Sequence, residues 1–426
     1  MIYLLKERFT SLLRDSEKYT RTDMVYLARG GFWSFFSQIV GSLASFLVVL
    51  LLANFLSKEE FGQYRFVLSL ISIIIILTLP GIDPAIIRSI ARKTILDFPN
   101  IVKTKIWWGL WSAGVSLLIS GYYFSRGNTE LFLAFAIAAL FLPFIESYSV
   151  YSSYFKGKED FKTSATYESI SRVFQSAIII LTAIVSKNIL WILVAYFAGQ
   201  LLARLFFYRK TLRDENLQSY TENKNADTIK YGKDLSGTQV VGTLIGNIDK
   251  LLVWHFLGAE ILAVYYIALT IPKNLILLCN IIPRVAFPRL SQNSWEPSDR
   301  NKILRKIFIF LGLLIIPGLA YELLVPFAIP LLFKGYTSSV PAALVLGFLI
   351  TLTPVNALID RMLQAMKLVR NILVLQVVAL IAFCAMFLVL YEFFGASPII
   401  AAIALVSSEA ISFLAGIWLI KKAQTL

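Results

Sequence analysis

The chain holds one histidine, two cysteines and few charged residues, 15% of its 426 positions. A soluble domain carries about a quarter charged residues. With His255 alone, Ser-His-Asp triads and multi-histidine metal sites are excluded unless that side chain serves by itself. The GxxxxGK[ST] phosphate loop is missing; Gly157-Lys158 and Gly232-Lys233 lack the rest of the pattern, so no recognisable ATPase is present. No RNP-like or zinc-finger pattern and no cofactor motif occurs, which argues against a nucleic-acid partner. Cys279 and Cys384 both fall in apolar runs and read as small core residues. A cleavable signal sequence is not expected, because Lys6, Glu7, Arg8, Arg14 and Lys18 interrupt residues 1–20. Ile2, Leu5, Phe9, Leu12 and Leu13 share one helical face. Residues 1–29 therefore read either as a plain cytoplasmic tail or as one holding an interfacial helix.

What the chain has in excess is apolar sequence, 58% of it. It falls in runs of roughly 20 residues, the length a helix needs to cross about 30 Å of hydrocarbon. Twelve runs are expected: 31–56, 66–87, 106–124, 131–153, 169–186, 189–207, 234–256, 261–283, 303–332, 341–360, 371–394 and 397–420. The net charge of +14 first suggests an acidic partner. Its placement gives another reason. With the N-terminus inside, the odd-numbered loops hold only Lys58, Arg65, Arg126, Lys187 and Lys334. Lys250 and Lys273 lie deep in spans, and the other basic residues lie in or beside the even-numbered loops and tails. That is the positive-inside pattern. It places both termini in the cytoplasm, although the same residues would also suit an anionic lipid. Trp107, Trp108, Tyr122, Tyr123 and Trp191 read as interfacial belt.

The sequence repeats itself. Shifted by 201 residues, 31–90 matches 232–291 without a gap, with sixteen of 60 pairs identical. They include Gly31/Gly232, Gln38/Gln239, Gly41/Gly242, Glu59/Glu260, Tyr64/Tyr265 and Arg88/Arg289. Apolar composition alone would not align Gln, Gly, Glu, Tyr and Arg in one register. Each copy holds six spans, so both enter the membrane from the same side. The expected fold is an all-α polytopic membrane protein with two parallel six-helix lobes, related by a pseudo-twofold axis along the membrane normal. The expected boundaries are an N-lobe over 30–207, a cytoplasmic linker over 208–233, a C-lobe over 234–420 and a tail over 421–426.

A charge at the bilayer centre costs about 2.5–3.5 kcal/mol on the insertion scale, so ionisable residues inside spans are read as functional candidates. Asp249, Lys250, Lys273, Glu322 and Glu409 qualify; Glu146 lies nearer a span end. Lys273 sits roughly 18 Å into its span at about 1.5 Å per residue, too deep for its stem to snorkel. The functional reading is a polar lumen that receives a phosphate or an acidic sugar. The bland reading is a set of interhelical ion pairs. Asp249 and Lys250 are neighbours pointing about 100° apart and are not expected to pair with each other. Glu322 lies among Pro317, Pro326 and Pro330, where a bend would free backbone groups that need partners. Arg88 and Arg289 read as positive-inside anchors. The sharper alternative is that both flank an inner mouth and meet a pyrophosphate.

The stretch Leu52 to Tyr64 (LANFLSKEEFGQY) resembles the first-hairpin signature of the polysaccharide transporter family. These are the Wzx-type lipid-linked oligosaccharide flippases of the multidrug/oligosaccharidyl-lipid/polysaccharide (MOP) exporter superfamily. Gly81 to Arg88 (GIDPAIIR) fits the end of their second span. Asn247-Ile248-Asp249-Lys250, Phe256-Leu257-Gly258 and Val264-Tyr265 resemble the matching seventh-span motif. Ala263 stands where that family usually has glycine, which questions close helix packing there. Twelve spans resemble the O-antigen and capsule flippases more than the fourteen-span peptidoglycan-precursor flippases. The resemblance implies a non-enzymatic protein of the bacterial inner membrane. It would move undecaprenyl-pyrophosphate-linked oligosaccharide to the outer leaflet by alternating access, coupled to H+ or Na+, beside polysaccharide polymerase and chain-length proteins. Lys250, Lys273, Arg88 and Arg289 would meet the substrate; Asp249, Glu409 and Glu322 would serve the coupling ion. A multidrug antiporter of the same superfamily is the second reading, weakened because the first span lacks any acid. A glycan-assembly enzyme or scaffold is the third, and the short outer loops argue against it.

Overall fold

A computed structural model describes residues 24–217, 225–283, 300–366 and 368–422, and among them the regular structure is helical throughout. Arg289 and residues 1–23 lie outside the described residues. We number the helices α1 Met24–Phe55, α2 Lys58–Ile74, α3 Ile82–Ala91, α4 Phe98–Ser125, α5 Thr129–Ile145, α6 Val150–Gly157, α7 Phe161–Ser186, α8 Ile189–Asp214, α9 Ala226–Leu257, α10 Ala259–Cys279, α11 Arg300–Leu332, α12 Val340–Gly347, α13 Leu349–Ala365, α14 Val369–Phe394 and α15 Pro398–Lys422.

Ten of the described helical stretches are long and apolar enough to cross a membrane. An eleventh is the bent pair Ala226–Gly237 and Gly242–Leu257, angled by 41°. The twelfth is α4, whose 28 residues fall short in hydropathy rather than in length. Its composition has a packing reason. Ser112, Ser116 and Ser120 form one buried stripe at helical spacing. The Ser116 hydroxyl donates to the Phe135 carbonyl at 2.8 Å and that of Ser120 to Phe132 at 2.7 Å, both on α5. Gly109 lies so close to Pro143 that an added Cβ would fall 2.6 Å from its Cα. Small residues let two helix backbones meet inside a bilayer. The outward faces are apolar and open, as with Leu118, Val185, Phe327 and Phe393, as expected for surface that lipid covers.

Helix ends follow the local sequence. Ser57 and Glu60 form a capping box: Ser57 N–H donates to Glu60 Oε2 at 2.9 Å, and Glu60 N–H donates to Ser57 Oγ at 3.2 Å. Asp97, Asn128, Asp160 and Asn188 each accept a backbone N–H at the starts of α4, α5, α7 and α8. The second span is broken: α2 ends in a 3-10 turn, Leu79 takes a left-handed conformation (φ 58°), and α3 begins after Pro80 and Gly81. Within 208–233 the described residues are largely helical, with α8 reaching Asp214 and α9 starting at Ala226. α11 runs unbroken through Pro317, Pro326 and Pro330.

The chain divides into two compact units, Met1–Val49 with Ile74–Val240, and Leu50–Ile73 with Val241–Leu426. The first packs around Ile82, Phe98, Ile101, Val150 and Phe207. The second packs around Ile303, Ile307, Val355, Leu363 and Ile420. The hairpin tip 50–73 thus belongs to the same unit as α10 to α15.

Candidate functional site

Burying a charge in a low-dielectric interior requires a partner, so the buried charges locate candidate sites. In the first unit, Lys105 is fully buried and its ammonium donates to both oxygens of Asp83 at 3.2 Å. Ser153 Oγ donates to the same carboxylate at 3.2 Å. Arg204 Nη1 donates to Glu146 at 2.7 Å and to the Ile145 carbonyl at 2.8 Å. The first set ties α3, α4 and α6 together and Arg204 ties α8 to the end of α5, so both of these cations are neutralised; Arg172, exposed on α7, has no ion-pair partner among the described residues. Arg88 is exposed on α3, its guanidinium 4.4 Å from the Tyr231 ring.

The second unit is different. Seven residues from the ends of their helices, about 10 Å in at 1.5 Å per residue, lie Arg65 on α2, Lys250 on α9 and Tyr266 on α10. Lys250 Nζ donates to Asp249 Oδ1 at 2.8 Å and to the Gly246 carbonyl at 2.9 Å. This corrects the expectation that neighbours would not pair. The two Cα–Cβ directions do diverge, but the four-carbon lysine stem folds back to reach the carboxylate. Tyr265 donates to the other oxygen, Asp249 Oδ2, at 3.0 Å. Asp249 is therefore fully engaged by Lys250 and Tyr265.

Arg65 corrects a second expectation. It is no loop residue: the Ser57–Glu60 box starts α2 at Lys58 and carries Arg65 two turns into the span. It is 8% exposed, and Nη1 donates to Tyr266 Oη at 3.0 Å. The two residues are 201 apart, the repeat offset, so Arg65 packs on its own counterpart from the second copy. Tyr266 feels the charges of Arg65, Lys273 and Lys250, in that order. Lys273 lies two turns further along the same face of α10, exposed and without an ion-pair partner among the described residues. The layer thus holds two cations and one committed carboxylate, with Lys273 a third cation two turns deeper.

Glu409 accepts from Asn356 Nδ2 at 2.5 Å. Asn356 donates also to the Glu409 carbonyl at 3.0 Å, joining α13 to α15. Asp360, one turn along α13, lies within electrostatic reach of Glu409. Glu322 lies over Gly347, where an added Cβ would fall 2.0 Å from its Oε1. Sequence reasoning missed Arg65, Asp360 and the Asp83–Lys105 pair. The capping box was the available signal for Arg65; Asn356 and Asp360, four apart on one helix face, were the signal for the carboxylate pair.

Residues 27–294, more than half of the chain, match the family model described as "Polysaccharide biosynthesis protein". The chain belongs to that family. This family member is 34% identical over 84 residues to the "Teichuronic acid biosynthesis protein TuaB" of Bacillus subtilis, a match covering 20% of the chain and only 17% of that protein. It is 24% identical over 326 residues to a Shigella flexneri protein named "Putative O-antigen transporter", covering 70% of the chain and 75% of that protein. Among solved structures it is similar to "Lipid II flippase MurJ, inward closed conformation", with a TM-score of 0.72 at 13% identity, covering 93% of this chain and 91% of that one. It is also similar to an outward-facing "multidrug resistance MATE family transporter of the MOP superfamily", with a TM-score of 0.60 at 13% identity, covering 93% and 95%. The fold of this polysaccharide biosynthesis family member is the two-lobe helical fold of those two structures.

Close approach in the layer gives a direct test of its packing. A Cβ added to Gly62 would fall 2.0 Å from the Ala259 carbonyl oxygen and 2.6 Å from its carbon, while one added to Gly114 meets nothing within 4 Å. Backbone cannot give way as a side-chain tip can. Gly62→Ala is expected to cost about 1–3 kcal/mol and Gly114→Ala nothing of that size, as read from thermal unfolding in detergent. Ala263, where glycine was expected for close packing, is nevertheless fully buried.

Proposed function

We propose that the protein is a flippase for lipid-linked oligosaccharide. It takes an undecaprenyl-pyrophosphate-linked sugar unit from the cytoplasmic leaflet and delivers it to the outer leaflet of the bacterial inner membrane, with both termini cytoplasmic. The observation that carries this reading is the surplus of cations over free carboxylates around Tyr266 in membrane-spanning helices. A cation-bearing surface at that depth suits an anionic head group and disfavours an organic cation. Family membership and the similarity to an O-antigen transporter support the same substrate class.

On this reading Lys273, exposed and without an ion pair, receives the pyrophosphate. Lys250 contributes when Asp249 changes protonation or partner. Arg88, with Arg289, attracts the head group at the basic mouth. Asp249 and the Glu409–Asn356–Asp360 group serve the coupling ion, H+ or Na+. Glu322, beside the Gly347 break, is the third candidate. Transport is by alternating access, and the product passes to polymerase and chain-length proteins. No chemical step on the cargo is required of the chain.

The test uses cells lacking the gene. They are expected to lose surface polysaccharide and accumulate the lipid-linked unit, and the wild-type gene restores export. Asp249→Asn is expected to reduce the restored export by roughly tenfold, because it removes the charge that neutralises Lys250 and keeps an acceptor for only one of its two donors, a loss of about 1.5 kcal/mol or more. Efflux of cationic dyes with polysaccharide export unaffected by deletion would instead identify a drug antiporter.

A further inference from the structure

Arg65 brings a charge into the membrane without a carboxylate partner among the described residues. Nη1 is used by Tyr266, while Nε and Nη2 are buried and have no hydrogen-bond partner. These two nitrogens share one edge of the guanidinium, and their N–H bonds run parallel, the edge that grips two oxygens of a carboxylate or phosphate. The group is held by aromatic faces: its carbon lies 4.0 Å from the centre of the Tyr266 ring, 5.1 Å from Phe61 and 5.2 Å from Tyr64. Ring faces attract the cation but accept none of those N–H bonds along the edge. A second polar group is left unmet beside it. Tyr336 is 2% exposed, its hydroxyl has no partner, its ring meets Phe61 at 6.3 Å, and it feels the Arg65 charge. Donors left unsatisfied at this depth make the packed state of α2 against α10 costly to hold.

We propose that the Nε–Nη2 edge of Arg65 is an oxyanion site for the cargo, filled by two oxygens of a phosphate or carboxylate when α2 draws away from α10. In the packed state the edge is covered. An anion that reaches it binds the separated state alone, and a ligand shifts an equilibrium by its difference in affinity for the two states. Arrival of the charged group thereby favours parting of the helices at the short-loop end. Lys273, two turns deeper on the Tyr266 face, hands the group on to Arg65. The proposal rests on the flippase reading for its cargo. The oxyanion comes from the carrier pyrophosphate or from an acidic sugar, and the two are separated by the probes used.

The full-length protein is purified with Cys279 and Cys384 changed to serine and Ala263→Cys introduced. Ala263 is fully buried, one turn from the Gly62–Ala259 contact. The rate of maleimide labelling at that position reports loosening of α10 beside the turn that meets Gly62 of α2. Inorganic pyrophosphate or D-glucuronate, against chloride at equal ionic strength, is expected to raise it by ~10-fold. The probe that does so identifies the source. Arg65→Gln is expected to abolish the rise and Arg65→Lys to lose most of it, since an ammonium lacks the two-pronged edge. A rise of wild-type size in Arg65→Gln, or no rise with either probe, overturns the proposal. If Arg65→Gln does not yield folded protein, Arg65→Lys decides by the same rise. The flippase reading fails separately, by absence of lipid-oligosaccharide flipping in the wild type.

Discussion

Lys273→Gln is expected to lower export of surface polysaccharide by roughly tenfold to a hundredfold while leaving the amount of protein in the membrane unchanged. A hydrogen bond to a charged group contributes about 1.5–3 kcal/mol, and each 1.4 kcal/mol is tenfold. Lys273 has no structural partner to lose, being exposed and without an ion pair among the described residues. Its removal should therefore spare stability and cost function. Lys273→Arg, which keeps the charge, is expected to retain part of the export. Export assayed by surface-polysaccharide staining, normalised to membrane protein, checks both. Wild-type export in Lys273→Gln would remove this lysine from the site.

The second large effect runs the other way, on stability. Asp83→Asn leaves the Lys105 ammonium wholly buried without its carboxylate. Breaking a buried pair by removing one partner costs about 3–5 kcal/mol. The double variant Asp83→Asn/Lys105→Met removes both charges and is expected to recover most of that loss. Thermal unfolding of the purified protein in detergent measures the cycle. Equal destabilisation by the single and double variants would mean that the pair contributes through shape rather than charge. Ser153 also donates to Asp83, so some loss persists in the double variant.

The number of spans was legible because a bilayer imposes one length on every crossing. Even α4 could be read as a run of the right length, although its serines lower its hydropathy; only the structure shows those serines facing α5. The internal repeat was legible for a related reason, since Gly, Gln, Glu and Arg at fixed offsets are not a by-product of apolar composition. Pairings were harder. Arg65 sits in the polar run Ser57 to Arg65, which reads as loop unless the Ser57–Glu60 capping box is used to start the helix. The Cβ directions of Asp249 and Lys250 diverge and read as unpaired, yet the lysine stem is long enough to fold back to the carboxylate. Lys105 reads as a loop cation, because sequence gives no sign that Asp83, 22 residues earlier, folds back beneath it. Sequence thus located Asp249, Lys250, Lys273, Glu322 and Glu409 in the second unit, but not Arg65 or Asp360. It could not tell which of them were already neutralised, and that distinction isolates Lys273 and Arg65.

Flipping in proteoliposomes tests the flippase reading most directly. The purified protein is reconstituted with a lipid-linked oligosaccharide in one leaflet, and appearance of the sugar in the other is followed with a membrane-impermeant glycosidase. Transfer that depends on the protein, and that Lys273→Gln slows, is the expected result. Transfer at the same rate with and without the protein would contradict it.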